Sequence, residues 1–170
     1  VQRGKRTGPE GDVMSVVYGT SSAYRRMIAQ GHGHIVNTAS VFGLFPFALG
    51  SAYTAVKQAV VGLSLALRPE AQGLGVRVSV ACPGSVDTEV RNTYTILRVD
   101  RDSFNSYIQK QMTPENAARA ILKGVRRNKG LIAFPWYDLI PWWLYRVRPS
   151  ANFWWQSKLV ELFRKKIRKE

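Results

Sequence analysis

Tyr53 and Lys57 stand one helical turn apart in the run Ser51-Ala-Tyr-Thr-Ala-Val-Lys-Gln-Ala-Val-Val-Gly-Leu-Ser64. The i,i+4 spacing places both side chains on one face of a helix. A free tyrosine, with a pKa of about 10, is a poor base at neutral pH. An ammonium group beside it favours the phenolate and brings the phenol toward the working range of a general acid/base. Upstream, Ser40 closes the run His34-Ile-Val-Asn-Thr-Ala-Ser40, which reads as a buried strand running into a loop. A hydroxyl there would hold a carbonyl or alcohol oxygen against the tyrosine. The trio suits proton transfer at an alcohol oxygen while a hydride moves at carbon. By itself a Tyr-x-x-x-Lys pair is common on helix surfaces, so its meaning rests on the elements around it.

The apolar periodicity predicts a helix from Asp12 to Gln30, with Val16, Val17, Ala23, Met27 and Ile28 apolar and Gly31 closing it. A strand follows over His34–Ala39. Residues 40–50 form a loop rich in Val41, Phe42, Leu44, Phe45, Phe47 and Leu49. They either fold over the core or wall a lipophilic pocket. The helix carrying Tyr53 and Lys57 is expected over Ala52–Leu67, ending at Pro69, which cannot donate to the helix ladder. Val76–Ala81 is a strand, with Val76, Val78 and Val80 alternating with Arg77 and Ser79. Thr113-Pro-Glu-Asn116 opens a further helix to about Asn128, with Thr113 as cap and Pro114 in the first turn. Leu131–Phe134 is a last short strand. Strands alternating with helices argue for a parallel α/β sheet.

Three runs in this order, Gly33-His-Ile-Val-Asn-Thr-Ala-Ser-Val-Phe-Gly43, then Tyr53 and Lys57, then Gly75-Val-Arg-Val-Ser-Val-Ala-Cys-Pro-Gly-Ser-Val-Asp-Thr88, resemble the short-chain dehydrogenase/reductase family. The resemblance covers about Val13 to Pro135. It implies the C-terminal part of a Rossmann-like doubly wound parallel sheet. It implies Tyr53 as general acid/base, Lys57 as its tuner and ligand of the nicotinamide ribose, and Ser40 as holder of the substrate oxygen. Pro83 and Gly84 would face the nicotinamide, with Val86 and Thr88 on its carboxamide. Asn37 would lie near the cofactor through its backbone. Residues 86–112 correspond to a mobile substrate lid in relatives. The cofactor implied is NAD or NADP, and the substrate an alcohol or ketone.

Two departures from the family pattern stand out. Relatives carry a catalytic asparagine in the helix before the Ser40 strand, and alignment puts Asp12 there. An ionised aspartate accepts hydrogen bonds but cannot donate them. Relatives also carry a Gly-rich turn, Thr-Gly-x-x-x-Gly-x-Gly, that admits pyrophosphate to a helix N-terminus. Arg3-Gly-Lys-Arg-Thr-Gly-Pro-Glu-Gly11 has the wrong spacing and follows no strand. The expectation is therefore a fragment, the C-terminal half of a dehydrogenase. Residues 1–11 would be a flexible basic leader, 12–135 a partial catalytic domain and 136–170 a tail.

A chain of 170 residues with 45% hydrophobic content supports one globular core. The single cysteine, Cys82, precludes an internal disulfide and reads as an apolar filler. His32 and His34 flank Gly33 without further ligands spaced to join them at a metal. No secretory signal and no span-length apolar run appear, which suits a cytoplasmic protein. The net charge of +14 favours polyanions such as phosphorylated cofactors or an anionic membrane surface. Beyond charge, nothing resembles a nucleic-acid-binding motif.

All five tryptophans, Trp136, Trp142, Trp143, Trp154 and Trp155, lie in the tail. From Trp155, Leu159, Phe163 and Ile167 recur at i+4, with Lys158, Arg164, Lys165, Arg168 and Lys169 on other faces. This pattern fits peripheral membrane attachment, or a helix docked on its own core or on a second copy in a homo-oligomer. The sequence thus points to oxidoreduction of a lipophilic alcohol or ketone. The alternative is a non-catalytic remnant acting as a membrane-associated or oligomeric scaffold.

Overall fold

A computed structural model describes residues 9–88 and 111–167. Residues 1–8 of the expected leader and 89–110 of the expected lid lie outside the described residues. Helix α1 (Pro9–Gln30) leads to strand β1 (Gly33–Thr38), a 3-10 turn (Val41–Gly43), helix α2 (Ser51–Gln72) and strand β2 (Val76–Pro83). Helix α3 (Pro114–Arg126), strand β3 (Leu131–Phe134), a second 3-10 turn (Trp136–Leu139), and helices α4 (Ile140–Val147) and α5 (Pro149–Ile167) complete the order.

The three strands form one parallel sheet in the order β1-β2-β3. Ile35 pairs with Val78, and Val80 with Leu131. Val76, Val78, Val80 and Cys82 face α1 and α2, where Ala23, Met27, Ile28, Val60, Val61 and Ala71 cover them. On β3, Leu131 and Ala133 join that face, whereas Ile132 and Phe134 pack against Ala117, Ala120, Ile121 and Val125 of α3. Alternation along a strand therefore puts α3 on the opposite face of the sheet. Ser79 and Ala81 of β2 are buried too, as expected of a central strand covered on both sides.

The helix boundaries correct the sequence reading at two ends. Helix α1 starts at Pro9 rather than Asp12, so part of the expected leader is helical; the fixed φ of proline suits a first turn. Helix α2 runs through Pro69 to Gln72 instead of stopping at Leu67. The missing N–H falls late in the helix, and continuing it buries Ala71 completely against Ile35, Val76 and Val78. At α3 the expected cap forms, with the Asn116 amide donating to Thr113 Oγ1 at 3.3 Å. Gly31 closes α1 at φ +76° and sits against Gly75 at φ +74°, where a Cβ on Gly75 would lie 2.0 Å from the Gly31 carbonyl oxygen. Only glycine fits that crossing.

Candidate active site

The site is assembled at the carboxyl ends of β1 and β2, the edge at which open parallel sheets receive ligands. Ser40 follows β1 and caps the first 3-10 turn, its Oγ accepting the Phe42 amide at 3.3 Å. The hydroxyl proton is not consumed by that bond. The turn lies directly on α2: a Cβ on Gly43 would stand 2.7 Å from the Lys57 carbonyl oxygen and 2.9 Å from Val61 Cγ2. Glycine at this position lets the loop after Ser40 close onto the helical turn that carries the tyrosine and lysine.

Tyr53 and Lys57 are both half-buried. Lys57 Nζ stands 5.4 Å from the centre of the Tyr53 ring, within cation–π range. The Phe42 ring meets Tyr53 edge-on at 6.4 Å and stacks on Phe47 at 4.2 Å. Val41 and Phe45 point into the core. The apolar loop thus divides between the two expected roles: Val41 and Phe45 fill the core, while Phe42 stands beside the tyrosine with Phe47 stacked on it.

The end of β2 is tied down from both sides. The Gly84 amide donates to the Phe134 carbonyl at 2.7 Å, and the Ser85 amide donates to Asp138 Oδ2 at 2.9 Å. A Cβ on Gly84 would lie 1.9 Å from that same Asp138 oxygen, so glycine is what admits the carboxylate. Burial raises the Asp138 pKa, and the Ser85 N–H opposes the rise. No local pattern in the sequence marks Asp138, whose partner lies 53 residues away. Beneath Ser40, burial pushes the Cys82 thiol up to about 12. Cys82 is therefore a packed thiol at neutral pH, joining the ends of β1 and β2.

The remaining expected residues are placed as follows. Val86 forms a parallel bridge with Met112, and Thr88 beyond it is exposed. Asn37 points between the helices: Thr20 Oγ1 donates to its Oδ1 at 3.1 Å, and its Nδ2 donates to Ser64 Oγ at 3.0 Å. Its side chain stitches α1, β1 and α2 together. Asp12 falls in the first turns of α1. A surface hollow of about 330 Å³ is lined by Arg119, Leu122, Lys123, Arg126 and Arg127 of α3 and takes no residue from the Tyr53 site. Among the described residues no group of three His, Cys, Asp or Glu converges as a metal site.

A family model described as short chain dehydrogenase matches residues 10–96, just over half of the chain. This chain belongs to the short chain dehydrogenase family. A Mycobacterium tuberculosis protein named as the oxidoreductase SadH is 36% identical to it over 127 residues, 71% of this chain and 46% of that protein. The closed form of serine dehydrogenase complexed with NADP+ is 31% identical, with a TM-score of 0.60 over 70% of this chain and 50% of that one. The bulky-bulky ketone specific alcohol dehydrogenase from Comamonas testosteroni is 25% identical, with a TM-score of 0.56 over 72% of this chain and 42% of that one. The chain spans about half the length of the curated relatives it matches. Its three-stranded parallel sheet and flanking helices are the corresponding part of that Rossmann-like fold.

Proposed function

We propose that this chain carries the catalytic end of a nicotinamide-dependent oxidoreductase that interconverts an alcohol and a ketone. The observation that carries the reading is the Lys57 ammonium 5.4 Å from the Tyr53 ring, on the helix against which the Ser40 turn closes. Ser40 Oγ–H donates to the substrate oxygen and fixes it. In the reducing direction the Tyr53 hydroxyl gives that oxygen a proton, and Lys57 stabilises the phenolate left behind. In the oxidising direction the phenolate takes the alcohol proton. The dinucleotide, when bound, supplies or accepts the hydride.

The residues present fit the nicotinamide end of that cofactor. Pro83 and Gly84 lie at the sheet's carboxyl edge beside Ser40, and Lys57 offers a donor to the ribose. Val86 and Thr88 would contact the carboxamide, and Asn37 contributes through its backbone. The Thr-Gly-x-x-x-Gly-x-Gly pattern that would receive the pyrophosphate does not occur in the sequence. NAD and NADP are alike at the end that fits. Asp12 stands where relatives place an asparagine, and as a carboxylate it would accept rather than relay a proton. Phe42 beside Tyr53, with Phe47 stacked on it, favours a bulky lipophilic substrate, in line with the ketone named for the Comamonas relative.

The test is titration of the chain with NADH and NADPH by energy transfer from tryptophan, followed by reduction of bulky ketones at millimolar cofactor. Weak dinucleotide binding is expected. Tyr53→Phe should lower kcat by about a hundredfold or more with cofactor affinity unchanged. Turnover that survives Tyr53→Phe overturns the assignment.

A further inference from the structure

In the second 3-10 turn, α4 and α5, Trp136, Trp143, Phe153, Trp154 and Trp155 are exposed, while Tyr137, Trp142 and Tyr145 are half-buried. On α4, Ile140, Trp143, Leu144 and Val147 are exposed, Val147 by 82%. Their i, i+3, i+4, i+7 spacing is one continuous stripe. On α5, the inward face is Asn152, Gln156 and Leu159, while Phe153, Trp154 and Leu162 are exposed, Trp154 by 65%. Trp136, ahead of α4, is 75% exposed. The two helices pack on each other, with the rings of Tyr145 and Phe153 6.1 Å apart, so the α4 stripe and the exposed residues of α5 lie on adjoining helices. Protein surfaces rarely leave this much apolar area open without an occupant.

Cations accompany the aromatics. Arg146, Arg148, Lys158 and Arg164 are exposed, and the Arg146 guanidinium lies 5.7 Å from the Trp142 ring. From 136 to 170 the chain has eight Lys/Arg against three Asp/Glu. We propose that this face docks on an anionic lipid surface. Tryptophan rings settle at the headgroup level, and lysine and arginine draw the helix to acidic lipids. A second copy would present the same positive face on a chain of net charge +14, so charge opposes self-association there and favours the lipid. Among the described residues no helix is long and apolar enough to cross a membrane, so the helices lie on the surface rather than span it. The docking does not depend on the oxidoreductase chemistry proposed above.

The experiment is flotation of the whole chain with phosphatidylcholine vesicles, with and without a third of phosphatidylserine, at low and high salt. Binding to the anionic vesicles alone, weakened by salt and accompanied by a blue shift of tryptophan emission, is expected. Trp143→Ser combined with Trp154→Ser, and separately Arg146→Glu with Arg148→Glu, should each lower the affinity about tenfold or more. Circular dichroism checks that each variant is folded, and the arginine pair decides the matter if the tryptophan pair is not. Three results overturn the proposal: no binding to anionic vesicles, equal binding by neutral ones, or undiminished binding by folded variants. A concentration-dependent dimer that the tryptophan variant dissolves also overturns it, in favour of a second copy as occupant.

Discussion

Helix α2 turns Val56, Val60, Val61 and Ala71 inward and packs them on β1 and β2. Helix α5 buries Asn152 and Gln156 beside Leu159 and turns Phe153 and Trp154 to solvent. The attachments differ accordingly. Gln156 Nε2 donates to the Pro46 carbonyl at 2.8 Å, and the Ala48 amide donates to Gln156 Oε1 at 2.5 Å. Gln156 also donates to Asn152 Oδ1, and Asn152 Nδ2 donates to the Pro141 carbonyl at 3.2 Å. A buried aliphatic side chain contributes about 1.5–3 kcal/mol, whereas a neutral hydrogen bond contributes about 1 kcal/mol net. The helix that carries Tyr53 and Lys57 is thus fixed by the core. The tail helix is fixed by a few amide bonds to the loop beside Tyr53, which leaves its aromatic face uncommitted.

The comparison breaks first at Val60. Val60→Asn places an amide among Ala39, Val61, Val80 and Cys82, and should cost about 3–5 kcal/mol through lost apolar burial and unmet hydrogen bonds. Urea unfolding measures it, and a cost under about 1 kcal/mol would mean that α2 is not core-anchored. Gln156→Leu strands the Pro46 carbonyl and the Ala48 amide, and should cost about 1–3 kcal/mol. The loss should show locally, as faster hydrogen exchange in α5 and residues 46–48 with α2 protected as before. Exchange rising equally in both helices would merge the two regions into one cooperative unit. Trp154→Ser should change stability by less than about 0.5 kcal/mol, because the ring is exposed. A larger loss by thermal melting would show that the outward face of α5 is packed rather than uncommitted.

Much of the first region was legible in the sequence. The strands β1 to β3 were expected within two residues of where they lie, and Gly31 and Thr113 end and open their helices as read. The i,i+4 spacing of Tyr53 and Lys57 and the serine at the strand end are visible in the sequence alone. The reading failed at Pro69, where burial of Ala71 outweighs the missing N–H. The tail's periodicity showed an apolar stripe through Trp155 and Leu159, whereas Trp155 is exposed and Leu159 shares the buried face with polar Asn152 and Gln156. Nor did any local pattern show that Asp138 would clasp the Gly84 turn.

The sequence by itself determined the elements, their parallel α/β order and the shared face of Tyr53 and Lys57, since helical and strand periods act over a few residues. Only the tertiary structure decided that Gly43 seats the Ser40 turn on Lys57, that Asp138 holds Ser85, and that Gln156 ties the tail to residues 46–48. Those contacts join positions 14, 53 and as many as 110 residues apart. Such pairs meet only in the folded chain, where the sheet brings its carboxyl edge, the apolar loop and the tail together.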